Sequence, residues 1–230
     1  ILGEDQRLYQ EQIAAALKEL EIKPPKAVHY SFVLLQEGRM STRRGNLVLL
    51  EEFMKQALSK SKEELKKRYN KIDEKSAKAI AYGAIKYSIL KVSPEKNVIF
   101  DWQRALSFEG ETAPYIQYAY ARISSILKKA KRINLKADLK LLNEKEEIEL
   151  IKLMLNFSQV MDKATHDLRP NLIATYLYSS AQKFNEYYHT HQILKSDEKT
   201  KNARLLLISA LGQIIKNGLN LLGINVLERM

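Results

Sequence analysis

The sequence predicts a mainly α-helical protein that begins with a short mixed α/β segment. Three observations indicate this class. Apolar residues recur at helical spacing through most of the second half, and β-forming residues concentrate in one early run. The chain also contains only 8 Gly and 5 Pro in 230 residues, and 45% of it is apolar. That composition is ample for a buried core, so we expect one or two domains.

The charge balance favours an acidic partner. Lys and Arg outnumber Asp and Glu by 38 to 27, which gives a formal net charge of +11. A nucleic acid is the usual partner for such an excess, although basic proteins without that role are common. No apolar run approaches the roughly 20 residues of a spanning helix, and the opening residues lack signal-peptide features. We therefore expect a cytoplasmic protein with no membrane partner.

Metal and thiol chemistry have little support in the sequence. The chain has no Cys and four His, and the histidines do not show the spacing of zinc ligands. Disulfides and cysteine nucleophiles are excluded. We therefore predict no structural metal.

The first part of the chain alternates between helix and strand patterns. An amphipathic stretch from Gln6 to Leu20 ends before two prolines, the run 29–35 is rich in β-formers, and the run 47–50 is apolar. These are too few strands to close a sheet. We expect residues 1–72 to be the tail of a larger α/β domain, with residue 1 an internal boundary.

The rest of the chain reads as helical from about Ser59, apart from a possible strand at 97–100. Helical periodicity predicts five long helices, over residues 73–90, 113–132, 145–168, 171–189 and 198–222. Helices of this length without an internal repeat indicate a bundle. We assign residues 73–230 to this second domain.

The run 38–46 carries the strongest local chemical signal. It places three arginines and two hydroxyl residues between two glycines, so that backbone amides and guanidinium groups can converge on a phosphate chain. From composition alone, a solvated basic hairpin that binds no ligand is an equally supported interpretation of this run.

Within this run, Arg39-Met40-Ser41-Thr42 resembles the Lys-Met-Ser-Lys signature of class I aminoacyl-tRNA synthetases. The longer run 40–46 resembles the form common in arginyl-tRNA synthetases. The resemblance implies a loop that closes on ATP, with cations that stabilise charge on the pyrophosphate. Thr42 departs from the pattern because it carries no charge, so a nearby Arg or a Lys outside this chain would compensate. The implied catalytic residues are Arg39, Met40, Ser41, Thr42, Arg43 and Arg44.

The start of the chain, Gly3-Glu4-Asp5-Gln6, resembles the Gly-x-Asp-Gln element of class I synthetases. The resemblance implies that Gly3 lets the backbone approach the nucleoside, and that Asp5 and Gln6 meet the ribose or the amino acid. The division of roles between Asp5 and Gln6 stays open. An ordinary helix start capped by Asp5 is the alternative.

The run 105–122 opens a helix, with Thr112 as the predicted cap and Pro114 in the first turn. At about 100° per residue, one side forms a core stripe and the opposite side gathers two tyrosines and an arginine. The stripe consists of Ile116, Tyr120, Ile123 and Leu127. The opposite side consists of Tyr115, Tyr118 and Arg122. Exposed aromatic side chains beside an arginine are suited to binding single-stranded RNA. Packing of these side chains against another helix is an equally supported interpretation.

This run, together with residues 172–189 and 218–230, resembles the anticodon-binding helical domain of arginyl-tRNA synthetases. The resemblance implies that Tyr115, Tyr118, Arg122, Tyr188 and Met230 bind the anticodon loop. Met would serve as an adaptable apolar contact. Core packing is the alternative for Tyr187 and Tyr188.

The resemblance thus implies the C-terminal end of a Rossmann-like α/β catalytic domain followed by an α-helical bundle. The parent enzyme would activate L-arginine with ATP and Mg²⁺ and transfer it to tRNA(Arg), as a monomer that does not bind DNA. A His-Ile-Gly-His-type element is absent from the 230 residues, so we expect the chain alone to be inactive. The alternatives are a stand-alone RNA-binding module derived from a synthetase and a basic helical interaction protein.

Overall fold

A computed structural model describes residues 1–35, 49–69 and 73–229. Within these ranges the strands are β1 (Leu2–Gly3), β2 (His29–Tyr30), β3 (Val33–Leu35) and β4 (Val98–Phe100). β1 pairs with β2 and β3 pairs with β4, and both pairs are parallel. Parallel pairing requires a crossover between the paired strands. The first crossover contains α1, and the second contains α2 and α3.

The helices of the described ranges form most of the molecule. They are α1 (Arg7–Glu19), α2 (Leu50–Tyr69), α3 (Glu74–Leu90), α4 (Trp102–Ala105), α5 (Ala113–Ala130), α6 (Lys145–Leu155), α7 (Phe157–Asp167), α8 (Pro170–Thr190) and α9 (Glu198–Leu221). The mainly α prediction is confirmed, and so is the strand predicted at 97–100. None of these helices is long and apolar enough to cross a membrane.

Side-chain caps fix where three of the long helices begin. The Asp73 carboxylate accepts the Ser76 N–H at 3.0 Å before α3. Thr112 Oγ1 accepts the Tyr115 N–H at 3.2 Å before α5, and Asp197 caps α9 in the same way. Because these residues satisfy amide groups that have no partner inside the helix, they start helices at predictable positions.

Two predicted boundaries differ from the structure. The helix predicted over 145–168 is two helices that meet at Asn156, whose ψ of −7° departs from the regular helical value and whose N–H is shared between the carbonyls of Lys152 and Leu153. Helix α2 begins at Leu50, well before the charged stretch that starts near Ser59. Burial of Ala57 anchors the early turns of this helix.

Two buried clusters organise the molecule. The larger core lies between α5, α6, α8 and α9 and contains Ile116, Ile123, Leu150, Leu177, Phe184, Leu211 and Ile215. The smaller core joins α2, α3, β4 and α4 and contains Leu65, Ile80, Phe100, Leu106 and Leu227. Leu227 comes from the segment after α9, so the end of the chain returns to the first half.

The segment after α9 is fixed by a buried amide. Gln117 of α5 is fully buried, and its Nε2 donates to the carbonyls of Ala79 at 3.1 Å and Asn225 at 2.8 Å. A Cβ on Gly83 would lie 3.0 Å from Gln117 Nε2 and 3.1 Å from Ile224. Glycine at position 83 therefore allows α3, α5 and the final segment to meet closely.

A buried ion pair links three helices of the larger core. Glu147 of α6 is fully buried, and its Oε1 accepts from Arg204 Nε at 2.8 Å and from the Tyr187 hydroxyl at 3.3 Å. Its Oε2 accepts the Glu144 N–H at 3.2 Å. Because burial raises the pKa of Tyr187, that hydroxyl stays protonated and donates to the carboxylate.

Candidate nucleic-acid interface

Five side chains from four segments contact one another in series. We call Arg68, Phe108, Tyr118, Arg122 and Tyr188 the aromatic ladder. The Arg68 guanidinium lies 4.4 Å from the centre of the Phe108 ring, and the Phe108 and Tyr118 rings meet edge to face at 6.5 Å. The Arg122 guanidinium lies 4.7 Å from the centres of both the Tyr118 and Tyr188 rings. Arg122 thus lies between two rings, and the buried Phe108 ring connects Tyr118 to Arg68.

Arg122 is held by neutral groups. Its Nη2 donates to the Tyr118 hydroxyl at 2.8 Å and its Nη1 to Asn185 Oδ1 at 3.4 Å. No carboxylate pairs with Arg122 in the part of the chain that the structure describes. Its positive charge is therefore oriented by its neighbours without being neutralised, which suits a site for an anionic ligand.

The two adjacent tyrosines near the end of α8 differ in burial. Tyr187 is fully buried, whereas Tyr188 is 38% exposed. The core-packing alternative therefore holds for Tyr187. The Tyr188 ring contacts Arg122 and still presents surface to solvent, as a stacking platform requires.

The predicted separation of α5 into a core side and a solvent side was wrong for Tyr115 and Tyr118. Tyr115 is half-buried against the larger core, with its ring 5.7 Å from that of Tyr178. Tyr118 is half-buried against the smaller core. The reason is that α5 packs against α3, α8 and α9, so that little of its circumference is left for solvent.

The core stripe on α5 was predicted correctly. Ile116 and Ile123 are buried, and Tyr120 and Leu127 pack against the larger core. Tyr115 takes no part in the contacts of the aromatic ladder. Its predicted role at the anticodon stays a prediction, as do the roles of Tyr118, Arg122 and Tyr188.

Several residues of this surface were not singled out from the sequence. Arg68 lies in a stretch of alternating Lys and Glu, and the sequence does not distinguish this cation, which contacts Phe108, from its solvated neighbours. Phe108 lies between helices, where periodicity gives no signal. Tyr69 is a further neighbour: burial raises the pKa of its hydroxyl, and the nearby Tyr118 adds to that shift.

The Gly3-Glu4-Asp5-Gln6 element begins at the carboxyl end of β1. A Cβ on Gly3 would lie 2.5 Å from Asp5 Oδ1, so any larger residue would displace the Asp5 carboxylate. Asp5 caps no helix here, since neither α1 nor the preceding 3-10 turn has a side-chain cap. Asp5 and Gln6 are both exposed. The capping part of that alternative is therefore wrong, whereas the helix start itself is present, because Asp5 lies in the first turn of the 3-10 helix that leads into α1.

The signature residues Arg39 to Arg44 lie outside the described residues, and so does Met230. In the sequence, the signature residues come after β3, which ends at Leu35. Parallel α/β sheets bind ligands beyond the carboxyl ends of their strands. Both sequence elements with a predicted catalytic role therefore come after such strand ends.

Comparisons with known proteins identify two family matches along the chain. The family described as "DALR anticodon binding domain" matches residues 116–230, which is half of the chain. The family described as "tRNA synthetases class I (R), catalytic domain" matches residues 1–102. The fold and these two matches define a class: the end of a class I aminoacyl-tRNA synthetase catalytic domain followed by a helical anticodon-binding domain.

Individual relatives narrow the class. A protein named arginine–tRNA ligase from Archaeoglobus fulgidus is 39% identical, over all of this chain and 43% of its own length. One from Clostridium botulinum is also 39% identical, over 42% of its length. The solved Thermus thermophilus arginyl-tRNA synthetase superposes with a TM-score of 0.91 at 32% identity, over 40% of its length.

The Plasmodium falciparum arginyl-tRNA synthetase, at 22% identity and a TM-score of 0.80, shares the fold. The chain belongs to the arginyl-tRNA synthetase family and corresponds to its C-terminal part. It spans about two fifths of the length of the curated relatives above. The two matched ranges leave residues 103–115 between them, and the boundary predicted after residue 72 stays a prediction.

Proposed function

We propose that this chain is part of an enzyme that joins L-arginine to tRNA(Arg), and that the aromatic ladder binds unpaired bases of the anticodon loop. One observation carries the proposal: Arg122 lies between the Tyr118 and Tyr188 rings without a carboxylate partner among the described residues. Unstacked bases bind to such rings and guanidinium planes. The excess of positive charge adds attraction to the RNA backbone.

The proposed reaction has two steps. The arginine carboxylate attacks the α-phosphorus of ATP, and the bond to pyrophosphate breaks. The terminal ribose hydroxyl of the tRNA then attacks the arginyl carbonyl carbon and releases AMP. We assign the ribose or the arginine to Gly3, Asp5 and Gln6, and the phosphates to the signature residues 39–44.

Magnesium would be held mainly by the nucleotide. No group of three or more acidic, His or Cys residues among those described could hold a metal by itself. Mg²⁺ commonly binds through substrate phosphates, waters and one or two carboxylates, and Asp5 is the exposed carboxylate at the strand end. The proposal also includes Met230 and Tyr115 at the anticodon, and a cytoplasmic monomer that binds tRNA rather than DNA.

The anticodon assignment is tested by the affinity of the chain for tRNA(Arg) and for the same tRNA with an altered anticodon. At about 150 mM salt, screening over roughly 8 Å suppresses nonspecific attraction. We expect clear discrimination between the two tRNAs. Equal affinity for both would contradict the assignment.

A pair of tyrosine variants tests the site itself. Tyr118→Ala should weaken binding about fivefold to a hundredfold, because base stacking on a ring contributes roughly 1–3 kcal/mol. Tyr9→Ala is the matched control, since Tyr9 lies on α1 and is 69% exposed. The control should bind like the unchanged chain. Equal effects of the two substitutions would exclude the ladder as the binding site.

A further inference from the structure

A cleft of about 410 Å³ adjoins the end of the aromatic ladder. It lies between the second half of α5 and the segment that follows α8, and we call it the α5–α8 cleft. Arg122 and Tyr188 form its boundary with the ladder, so the two surfaces are continuous. Its volume falls within the roughly 300–1,000 Å³ of typical ligand sites.

The lining of the α5–α8 cleft is cationic. Arg122, Lys129 and Lys195 contribute to it, and none of the described residues that line it is acidic. Lys129 and Lys195 are exposed and have no ion-pair partner in the described ranges. His191 is different, because its Nε2 lies 3.1 Å from Glu146 and is already engaged. The available charge is therefore carried by the two lysines and Arg122.

The inner surface of the cleft is apolar. Ile126 is 6% exposed and Ile193 is 3% exposed, and both line the cleft. The Tyr188 ring stands beside them. An apolar floor with an aromatic wall accepts the face of a base, while ammonium groups at the rim attract a phosphate. One nucleotide has both parts, whereas a free phosphate would leave the floor uncovered.

We infer that the α5–α8 cleft is a second nucleotide subsite, which binds the RNA nucleotide next to the one on the aromatic ladder. Its base contacts Ile126, Ile193 and Tyr188, and its phosphate pairs with Lys129 and Lys195. This inference rests on the proposed function, because it requires an RNA strand on the ladder. It adds residues on α5 and after α8 that the sequence did not single out.

Salt dependence tests the phosphate pairing. The double variant Lys129→Gln, Lys195→Gln in the full chain is titrated with an anticodon stem-loop RNA of tRNA(Arg) at several salt concentrations. We expect weaker binding and a salt slope that is smaller by about 0.7 for each phosphate that is no longer neutralised. The control is Lys152→Gln, Lys163→Gln, which removes the same charge from exposed lysines on α6 and α7. If both double variants change the slope equally, the subsite is wrong.

A filling variant tests the base contact. Ser125 lines the cleft and is half-buried, so Ser125→Trp should occupy the space without changing the charge. We expect it to weaken binding of the intact loop. It should not weaken binding of a loop in which the nucleotide that occupies the cleft carries no base. Equal weakening of both RNAs would overturn the base contact. Urea midpoints confirm that each variant is folded.

Failure of this inference is distinguishable from failure of the proposed function. If Tyr118→Ala weakens binding while the cleft variants behave like their control, the second subsite is wrong and the ladder assignment stands. If Tyr118→Ala also binds normally, the ladder assignment fails, and the inference fails with it.

Discussion

The buried Glu147–Arg204 pair gives the sharpest prediction for stability. Glu147→Ala removes a fully buried carboxylate that accepts from Arg204, Tyr187 and Glu144. It leaves the Arg204 guanidinium, whose side chain is only 12% exposed, without its anion. Breaking a buried pair by removing one partner costs about 3–5 kcal/mol. At a urea slope of about 2 kcal/mol/M, the unfolding midpoint should fall by about 1.5–2.5 M.

An exposed pair on the same helix is the matched control. Glu149 pairs with Lys183 at 2.6 Å, and both side chains are 37% exposed. Because exposed ion pairs are screened by solvent and contribute little to stability, Glu149→Ala should shift the midpoint far less than Glu147→Ala does. Unfolding is followed by far-ultraviolet circular dichroism, which reports the helices directly.

The double variant Glu147→Leu, Arg204→Met separates charge from packing. It replaces both charged side chains with apolar ones, so the unfolding midpoint should fall less than it does for Glu147→Ala alone. If Glu147→Ala instead shifts the midpoint no more than Glu149→Ala, then burial of the pair does not control stability. The energetic role given to this network would then be refuted.

Three further predictions concern single sites. Arg122→Lys keeps the charge but removes the planar group between two rings. The affinity for tRNA, measured by fluorescence anisotropy, should therefore fall several-fold. Unchanged affinity would argue against stacking on Arg122. A Cβ on Gly218 would lie 2.6 Å from Leu177 Cδ2. Gly218→Ala should therefore lower the free energy of unfolding in urea by about 1–3 kcal/mol. A more stable variant would disprove the clash. Hydrogen bonds from Ser93, its own backbone N–H and Arg169 lower the pKa of Glu95 from 4.5 to about 2, so its stabilising contribution is present above about pH 4.5 and is lost towards pH 2. Carboxyl NMR should show this midpoint, and Ser93→Ala should raise it; an ordinary midpoint in the unchanged chain would contradict the assigned contacts.

Much of the helical architecture follows from local signals. Thr112 and Pro114 mark the start of α5 because a cap and a first-turn proline satisfy requirements within a few residues. The break at Asn156 was missed, since apolar periodicity continues through it and only the backbone reveals that the helix closes. Local patterns thus locate helices better than they locate breaks within them.

The candidate site depends on contacts that local patterns do not contain. Tyr187 and Tyr188 are adjacent on α8, and only the packing of α5, α6 and α9 around that helix decides which ring is buried. The contact of Arg122 with Tyr188 joins residues on two helices. The sequence supplied Tyr118 and Arg122 through helical periodicity and the family resemblance, and Tyr188 through the resemblance alone, whereas Phe108 and Arg68 required the tertiary structure.

The position of Leu227 has a consequence for synthesis of the protein. The smaller core contains Ile80 and Phe100 from the first half of the chain, but its Leu227 contact comes from the segment after α9. A nascent chain is made from its amino end, so α2, α3 and β4 leave the ribosome well before Leu227 is available. Until Leu227 emerges, this core lacks one of its apolar contacts. Folding of the smaller core during synthesis is therefore complete only after the segment that follows α9 has been made.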